Sequence, residues 1–122
     1  MPYRILAINP GSTTTKIAVY DDETPLFETT INNSREELSS CADLVASLAF
    51  RRSAIEAELS AHGISLRSLS AALGRGGLLR PIAGGTYTIS EKMLEDLKSC
   101  KYGEHACNLG AMLADEMARS AG

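Results

Sequence analysis

The sequence lacks tryptophan, and its aromatic residues make up only 5% of 122 residues. It also lacks a run of about 18 apolar residues, so we expect no membrane-spanning helix. The apolar stretch near the start, Ile-Leu-Ala-Ile at 5–8, is only four residues long. Because the hydrophobic segment of a secretory signal is longer than this, we expect no signal peptide.

An excess of basic residues is also missing. Twelve lysines and arginines face fifteen acidic residues, for a formal charge of −3, and nucleic-acid binding is therefore not expected. The three cysteines are odd in number and form no C-x-x-C motif, which indicates neither a disulfide framework nor a zinc site. Reduced thiols are the simplest interpretation and favour a cytoplasmic protein.

The composition, with 44% hydrophobic and 22% charged residues, is typical of a globular protein, and the length suits one domain. Three short segments rich in β-forming residues come first, at 4–9, 15–20 and 26–31. The turns between them are too short to hold a helix. We therefore predict an antiparallel meander of three strands.

Helical signals follow the meander. Ser34 and Glu37 form a capping box, and the apolar period that they open ends at Gly63. This stretch is either one helix or two with a break near Leu48, and we favour the break.

A short apolar strand is predicted at 71–73, and two further helices are predicted to start at Ser90 and near His105. The order β-β-β-α-β-α-α defines an α/β domain, but it is not the βαβ opening of a Rossmann fold. It is similar to the order of the ribonuclease-H-like core of actin-like ATPases and sugar kinases.

The first turn is a candidate phosphate loop. Residues 9–16 read Asn-Pro-Gly-Ser-Thr-Thr-Thr-Lys, with four consecutive hydroxyls, a glycine and a lysine. Glycine admits a phosphate close to the backbone, and amides, hydroxyls and an ammonium group can all bind its oxygens. The second glycine and following helix of a Walker A loop are missing. An ordinary Asn-Pro-Gly turn before strand threonines is the alternative interpretation.

Arg75 is a second candidate site residue. It follows the strand at 71–73 and precedes Gly76 and Gly77. A rigid sheet positions residues that follow its strands, and a guanidinium can bind a carboxylate or a phosphoryl group with two hydrogen bonds. The alternative is a surface arginine in a glycine turn.

His105 and Asn108 lie one helical turn apart, just after Gly103. Residues at this spacing share one helix face and can line the same cleft. A pair that caps the helix or faces solvent is the alternative. The acidic cluster Asp-Asp-Glu at 21–23 is most simply a solvated hairpin turn. It lacks a further carboxylate at metal-ligand spacing, so we predict no metal-binding residues.

These segments resemble the butyrate kinases, in the acetokinase family of acyl kinases. The resemblance rests on Ile-Leu-Ala-Ile-Asn-Pro-Gly-Ser-Thr-Thr-Thr-Lys at 5–16, Gly-Arg-Gly-Gly-Leu-Leu-Arg-Pro-Ile at 74–82 with Gly-Gly-Thr-Tyr at 84–87, Met-Leu-Glu-Asp-Leu at 93–97, Tyr-Gly-Glu-His-Ala at 102–106 and Asn-Leu-Gly at 108–110. Acetate and propionate kinases look like close relatives, but their His-Arg-x-x-His-Gly-Gly pattern is missing here. The butyrate or branched-chain branch fits better.

The resemblance implies a reversible reaction in which ATP and butyrate or a similar short-chain acid give an acyl phosphate and ADP. Mg²⁺ would neutralise the nucleotide phosphates. On the matching positions, the phosphate loop would consist of Asn9, Gly11, Ser12, Thr13, Thr14 and Lys16. Arg75 would hold the carboxylate and the phosphoryl group in flight, and His105 and Asn108 would line the cleft.

The resemblance also implies a longer protein. Members of the family have roughly two such domains with the active site between them, and residues 1–122 resemble the first. We expect a second, nucleotide-binding domain beyond Gly122, no turnover by the chain alone, and at least a dimer in the full-length form. The alternatives are a non-enzymatic actin-like half-domain that binds a protein partner, or a phosphate-binding module of another actin-like kinase.

Overall fold

The computed structural model describes residues 3–11, 14–32, 46–75, 77, 85–103 and 105–121. The elements in this part of the chain are β1 (Arg4–Pro10), β2 (Thr14–Asp21), β3 (Thr24–Asn32), α1 (Leu48–Ala61), β4 (Ala71–Gly74), α2 (Glu91–Lys98) and α3 (Leu109–Ala121), with 3₁₀ turns at Leu66–Ser68 and Ala106–Asn108. The predicted α/β class is confirmed. The predicted helix start at Ser34 lies outside the described residues.

The four strands form one mixed sheet in the order β3-β2-β1-β4. β1 pairs with β2, and β2 with β3, in antiparallel register, so the predicted meander is confirmed. β4 pairs with β1 in parallel register, with Ile8 opposite Gly74. The carboxyl ends of β1 and β4 therefore meet at one edge of the sheet, where the chain continues into Gly11 and Arg75.

One face of the sheet packs against the helices. Alternation along the strands directs one set of apolar side chains inwards, where they meet the buried faces of the helices. This core contains Leu6, Ile8, Ile17 and Val19 from the sheet, Ile55 and Leu59 from α1, Leu97 from α2, and Leu109, Met112, Leu113 and Met117 from α3. Burial of each large apolar side chain contributes roughly 1.5–3 kcal/mol, so this layer fixes the sheet on the helices.

α1 ends just before Gly63, as the sequence predicts. This glycine has φ 70°, a left-handed conformation that suits a residue without a side chain. The amide of Ile64 then donates to the Leu59 carbonyl at 2.8 Å. The His62 ring stacks on Phe27 of β3 with 3.8 Å between centroids, which ties the end of α1 to the sheet.

The start of α3 differs from the prediction. The helix begins at Leu109, not near His105, because a 3₁₀ turn comes first. In this turn the Asn108 amide donates to the His105 carbonyl at 2.9 Å. The Cys107 amide donates to the His105 ring at 3.1 Å. His105 thus serves as the cap of the turn, and the helix proper starts four residues later.

The cysteines also differ from the expectation of three reduced thiols. Cys107 is free, but Cys100 is disulfide-bonded, so the expectation is wrong for Cys100. Cys41 lies outside the described residues. In the part of the chain that the structure describes, no helix has both the length and the apolar character needed to cross a membrane.

Candidate functional site

Arg75 and Asn9 meet at the edge where the two parallel strands end. The Arg75 amide donates to the Ile8 carbonyl at 2.9 Å, which extends the parallel pairing one residue beyond β4. The Arg75 Nη1 donates to the Asn9 Oδ1 at 3.4 Å. Two predicted site residues that are 66 positions apart in sequence are therefore neighbours in space.

A cavity of about 310 Å³ lies at this edge. Its lining consists of Asn9, Pro10, Gly11, Thr14, Lys16, Thr30, Arg75, His105 and Cys107. None of these described lining residues carries a carboxylate, while two carry a permanent positive charge. Lys16 forms a largely exposed ion pair with Glu28, in which its Nζ lies 3.0 Å from Glu28 Oε1. The cavity favours an anion of modest size.

The candidate phosphate loop is closed by a tight turn. The Gly11 amide donates to the Thr14 carbonyl at 2.7 Å. A Cβ added to Gly11 would lie 3.1 Å from Thr14 Oγ1, so a side chain at this position would crowd the turn. Ser12 and Thr13, which are also predicted to bind phosphate, lie outside the described residues.

Arg51 holds the same turn from the core side, and sequence reasoning missed it. The side chain is 1% exposed. Its Nη2 donates to the Gly11 carbonyl at 2.8 Å, and its Nη1 lies 3.2 Å from both the Thr14 carbonyl and Thr15 Oγ1. Burial lowers the pKa of the Arg51 guanidinium because desolvation disfavours the charged form.

The position of Arg75 depends on close backbone packing against α3. A Cβ on Gly74 would lie 2.2 Å from the Gly110 carbonyl oxygen, and a Cβ on Gly110 would lie 2.3 Å from the Arg75 carbonyl oxygen. Neither distance is compatible with a side chain. The two glycines therefore allow the end of β4 and the start of α3 to touch, and they set Arg75 against the His105–Asn108 turn.

His105 is one of the lining residues of the cavity. Its Nδ1 accepts the Cys107 amide at 3.1 Å, so the hydrogen of the neutral ring belongs on Nε2. Cys107 lines the same cavity. Burial raises the pKa of the Cys107 thiol, and the positive charge of Arg75 partly opposes this rise.

Asn108 lies elsewhere. It is fully buried, and its Nδ2 donates to the Gly103 carbonyl at 2.9 Å and approaches Cys100 Sγ at 3.8 Å. It is not among the cavity's described lining residues. The structure thus brings together the described residues of the predicted site except for Asn108, which supports the turn behind His105.

A second, larger concavity of about 1000 Å³ runs along the face of the sheet opposite the core and around the edge of β4. The strands contribute Ile5, Ala7, Ala18 and Leu73 to it, and Tyr87 adds an aromatic ring. Leu73 is 47% exposed and Tyr87 is 48% exposed. Helix residues line it as well: Met93 and Leu97 of α2, and Ala111, Ala114 and Ala118 of α3. Asn9, Lys16 and Arg75 line both concavities.

Comparison with known proteins adds what geometry alone does not give. No family model matches the chain. Curated relatives from Listeria match nearly all of it, and each of them is a kinase by name. Each is named probable butyrate kinase, so the resemblance to the butyrate kinases is confirmed.

The similarity is high but covers only part of each relative. The proteins of Listeria monocytogenes serotype 4a and Listeria welshimeri are 50% and 49% identical over 118 residues, which is 97% of this chain and 33% of theirs. The Listeria innocua protein is 49% identical over 122 residues, 100% of this chain and 34% of its own length. The chain therefore spans about a third of the curated relatives it matches.

Proposed function

We propose that the chain is the amino-terminal part of a carboxylate kinase that transfers the γ-phosphoryl group of ATP to butyrate or a similar short-chain acid. The observation that carries the proposal is the meeting of Arg75 with Asn9 and the Gly11–Thr14 turn, in a cavity whose described lining has no carboxylate. The relatives' name supplies the substrate class. The mixed sheet is compatible with the ribonuclease-H-like, actin-like fold that we propose for the domain.

The reaction needs positive charge more than covalent chemistry from the protein. A carboxylate oxygen forms a bond to the γ-phosphorus while the bond to the β,γ-bridging oxygen breaks, and ADP leaves with that electron pair. Negative charge develops on the departing ADP oxygen and is spread over the oxygens of the transferred group, and fixed donors stabilise it. Arg75 can bind the carboxylate and the phosphoryl oxygens with one planar fork. His105 Nε2 can add a further donor in the same cavity.

The nucleotide phosphates would bind at the loop that follows β1. Gly11 lets them approach the backbone, the Thr14 hydroxyl can donate, and Lys16 adds charge. Ser12 and Thr13 belong to this proposed set as well. Asn108 would act indirectly, because it supports the turn behind His105.

Mg²⁺ is proposed to accompany the nucleotide. Within the described ranges, no three side chains of the metal-binding types come together, so this part of the chain does not fit a metal site of its own. Mg²⁺ is commonly held by substrate phosphates with few protein ligands.

The rest of the proposed enzyme follows from the length of its relatives, which is about three times that of this chain. We propose that a second domain binds the adenosine moiety and closes the active site over Arg75. The full-length protein would be cytoplasmic and at least dimeric.

The test is a hybrid enzyme in which this chain replaces the matching third of the Listeria innocua relative. ATP, Mg²⁺, butyrate and hydroxylamine are supplied, and acyl phosphate is trapped as butyryl hydroxamate. The hybrid should form the hydroxamate, and Arg75→Met should reduce the rate by a factor on the order of 100–1000, as loss of one essential donor does. The 122-residue chain alone should form none.

Arg67→Met is the matched control, because Arg67 is an exposed arginine on the 3₁₀ turn at Leu66–Ser68. It should leave the rate unchanged. A folded hybrid that makes no hydroxamate with butyrate, isobutyrate or valerate would contradict the proposal, as would an Arg75→Met hybrid of normal rate.

The apolar outer face of the sheet favours a second candidate function, a half-domain that binds a protein partner. Leu73 and Tyr87 are each about half exposed there, and an apolar concavity of this kind marks a binding surface. Sedimentation of the chain over a range of concentrations tests this candidate. Association that Leu73→Ser abolishes, without any phosphate binding, would favour it over the kinase.

A further inference from the structure

The Arg51 guanidinium joins the two ends of the loop after β1. One terminal nitrogen donates to the Gly11 carbonyl at 2.8 Å, and the other lies 3.2 Å from the Thr14 carbonyl. The Gly11 amide donates to that same Thr14 carbonyl at 2.7 Å. One planar group therefore contacts both Gly11 and Thr14, the residues on either side of positions 12 and 13. It also contacts the Thr15 hydroxyl.

A lysine could not make this arrangement. A guanidinium has donors on two terminal nitrogens at fixed spacing, whereas an ammonium is a single point of charge. Two backbone carbonyls from opposite ends of a turn match the fork of an arginine. The geometry therefore depends on the shape of the group as well as on its charge.

The burial of Arg51 is costly for a helix that otherwise packs through apolar groups. α1 buries Arg51, Ile55 and Leu59 in a row spaced by four. Placing a cation in the core is unfavourable without compensating partners. A guanidinium at this position therefore requires hydrogen-bond acceptors, and the Gly11 and Thr14 carbonyls are two of them.

The two residues that Arg51 binds also line the cavity. Arg51 contacts the Gly11 and Thr14 carbonyls from the core, and Gly11 and Thr14 are both lining residues of the cavity at the sheet edge. A displacement of either residue would therefore change the shape of the cavity.

We infer that Arg51 is a positioning residue of the phosphate site: from within the core it fixes Gly11 and Thr14, two residues that line the cavity. It touches no ligand itself. The inference rests on the proposed function for its ligand, a phosphate chain, but the effect on the turn is independent of it.

The experiment compares Arg51→Lys and Arg51→Met in the 122-residue chain. Lysine keeps the charge without the fork, and methionine keeps the length without the charge. Arg52→Met is the matched control, since Arg52 is the adjacent arginine but bonds Glu56 and Ser120. Two quantities are measured by NMR: the hydrogen exchange of the Gly11 amide without ligand, and the dissociation constant of inorganic tripolyphosphate. Butyrate shifts near Arg75 are recorded on the same samples.

We expect the Gly11 amide to exchange at least about tenfold faster, and tripolyphosphate to bind at least about tenfold more weakly, in both Arg51 variants. Butyrate shifts and the Arg52→Met chain should be unchanged. If Arg51→Lys behaves as wild type in both measurements, the fork is not required and the inference is wrong. Equal losses for tripolyphosphate and butyrate would indicate a general loss of structure and would also overturn it.

The two proposals fail in different ways. Wild-type chain that binds no tripolyphosphate, with Gly11 exchange still dependent on Arg51, refutes the phosphate site and retains Arg51 as the residue that fixes the turn. Wild-type binding with unchanged Gly11 exchange and affinity in both variants refutes the role of Arg51 and retains the site. If Arg51→Met is unfolded, Arg51→Lys decides the outcome.

Discussion

The Arg75 Nη1 lies 3.4 Å from the Asn9 Oδ1, across the carboxyl ends of two parallel strands. The distance is longer than that of a strong hydrogen bond, so an anionic oxygen that enters the cavity can replace the amide as the partner of the guanidinium. Because the Arg75 backbone is itself bonded to Ile8 at 2.9 Å, the side chain is presented from a fixed base. A fixed cation beside an exchangeable neutral partner is a suitable arrangement for a substrate site.

His105 should contribute through Nε2 alone. We expect His105→Ala to weaken tripolyphosphate binding by about tenfold, the effect of losing one hydrogen bond to a charged group. His105→Gln should bind within about threefold of wild type, because the glutamine amide nitrogen replaces the Nε2 donor. Calorimetric titration measures both. If His105→Gln is as weak as His105→Ala, the ring is needed for something other than this donor.

Cys107 should report on the charge of the cavity. Burial raises its pKa and Arg75 lowers it, so Arg75→Met should raise the pKa further and slow alkylation by iodoacetamide at pH 8. Bound tripolyphosphate should act in the same direction, since a nearby anion disfavours the thiolate. The pH profile of the alkylation rate, followed by mass spectrometry of the Cys107 peptide, should shift to higher pH. An unchanged profile would mean that the charge of Arg75 does not act on the Cys107 thiol.

Gly110 should be intolerant of a methyl group. Alanine is the better helix former by about 1 kcal/mol, so helix propensity predicts stabilisation. The contact with the Arg75 carbonyl predicts the opposite, and we expect Gly110→Ala to lose about 2 kcal/mol in the free energy of unfolding. Urea denaturation measures it. Ala118→Ser, on the exposed side of the same helix, is the control and should change stability by less than about 0.5 kcal/mol.

The Arg4–Asp21 pair should make stability depend on acid pH. Arg4 lies opposite Asp21 in the register, with Nε and Nη2 at 2.8 and 3.1 Å from the carboxylate. The hydrogen bond from Arg4 lowers the pKa of Asp21. The unfolded chain therefore takes up a proton first, and the contribution is present above about pH 4 and lost as the pH falls through the lower folded value.

Asp21→Asn removes this titration, and Arg4→Met removes its cause. Both variants should show a shallower fall in the free energy of unfolding between about pH 4 and pH 2 than wild type, as measured by urea denaturation at each pH. If either variant follows the wild-type slope, the acid dependence arises elsewhere in the chain.

The sequence predicted the parts of this structure that depend on local patterns. Alternation placed the meander, and the end of α1 could be predicted from Gly63. Arg75 was recognised because it follows a strand. Arg51 was missed because Phe50, Arg51 and Arg52 interrupt the apolar period of their helix. The spacing of four from Arg51 to Ile55 and Leu59 was nevertheless a usable signal, since a charged residue in a buried row requires partners.

Long-range contacts explain the remaining differences. His105 and Asn108 lie three residues apart, which indicated one shared face on a regular helix. His105 precedes the 3₁₀ turn at Ala106–Asn108 and caps it, so the two residues do not share the face of one regular helix. His105 lines the cavity, while Asn108 turns inwards to Gly103. The contact between Gly74 and Gly110 is set by tertiary packing and has no local signature beyond the glycines themselves.

The most direct test of the phosphate and carboxylate site is an NMR titration of the 122-residue chain with tripolyphosphate and, separately, with butyrate. We predict saturable shifts at Asn9, Gly11 and Thr14 with tripolyphosphate, shifts beside Arg75 with butyrate, and a loss of about tenfold or more in both affinities for Arg75→Met but not for Arg67→Met. Shifts confined to another surface, or equal affinities in the two variants, would contradict the account.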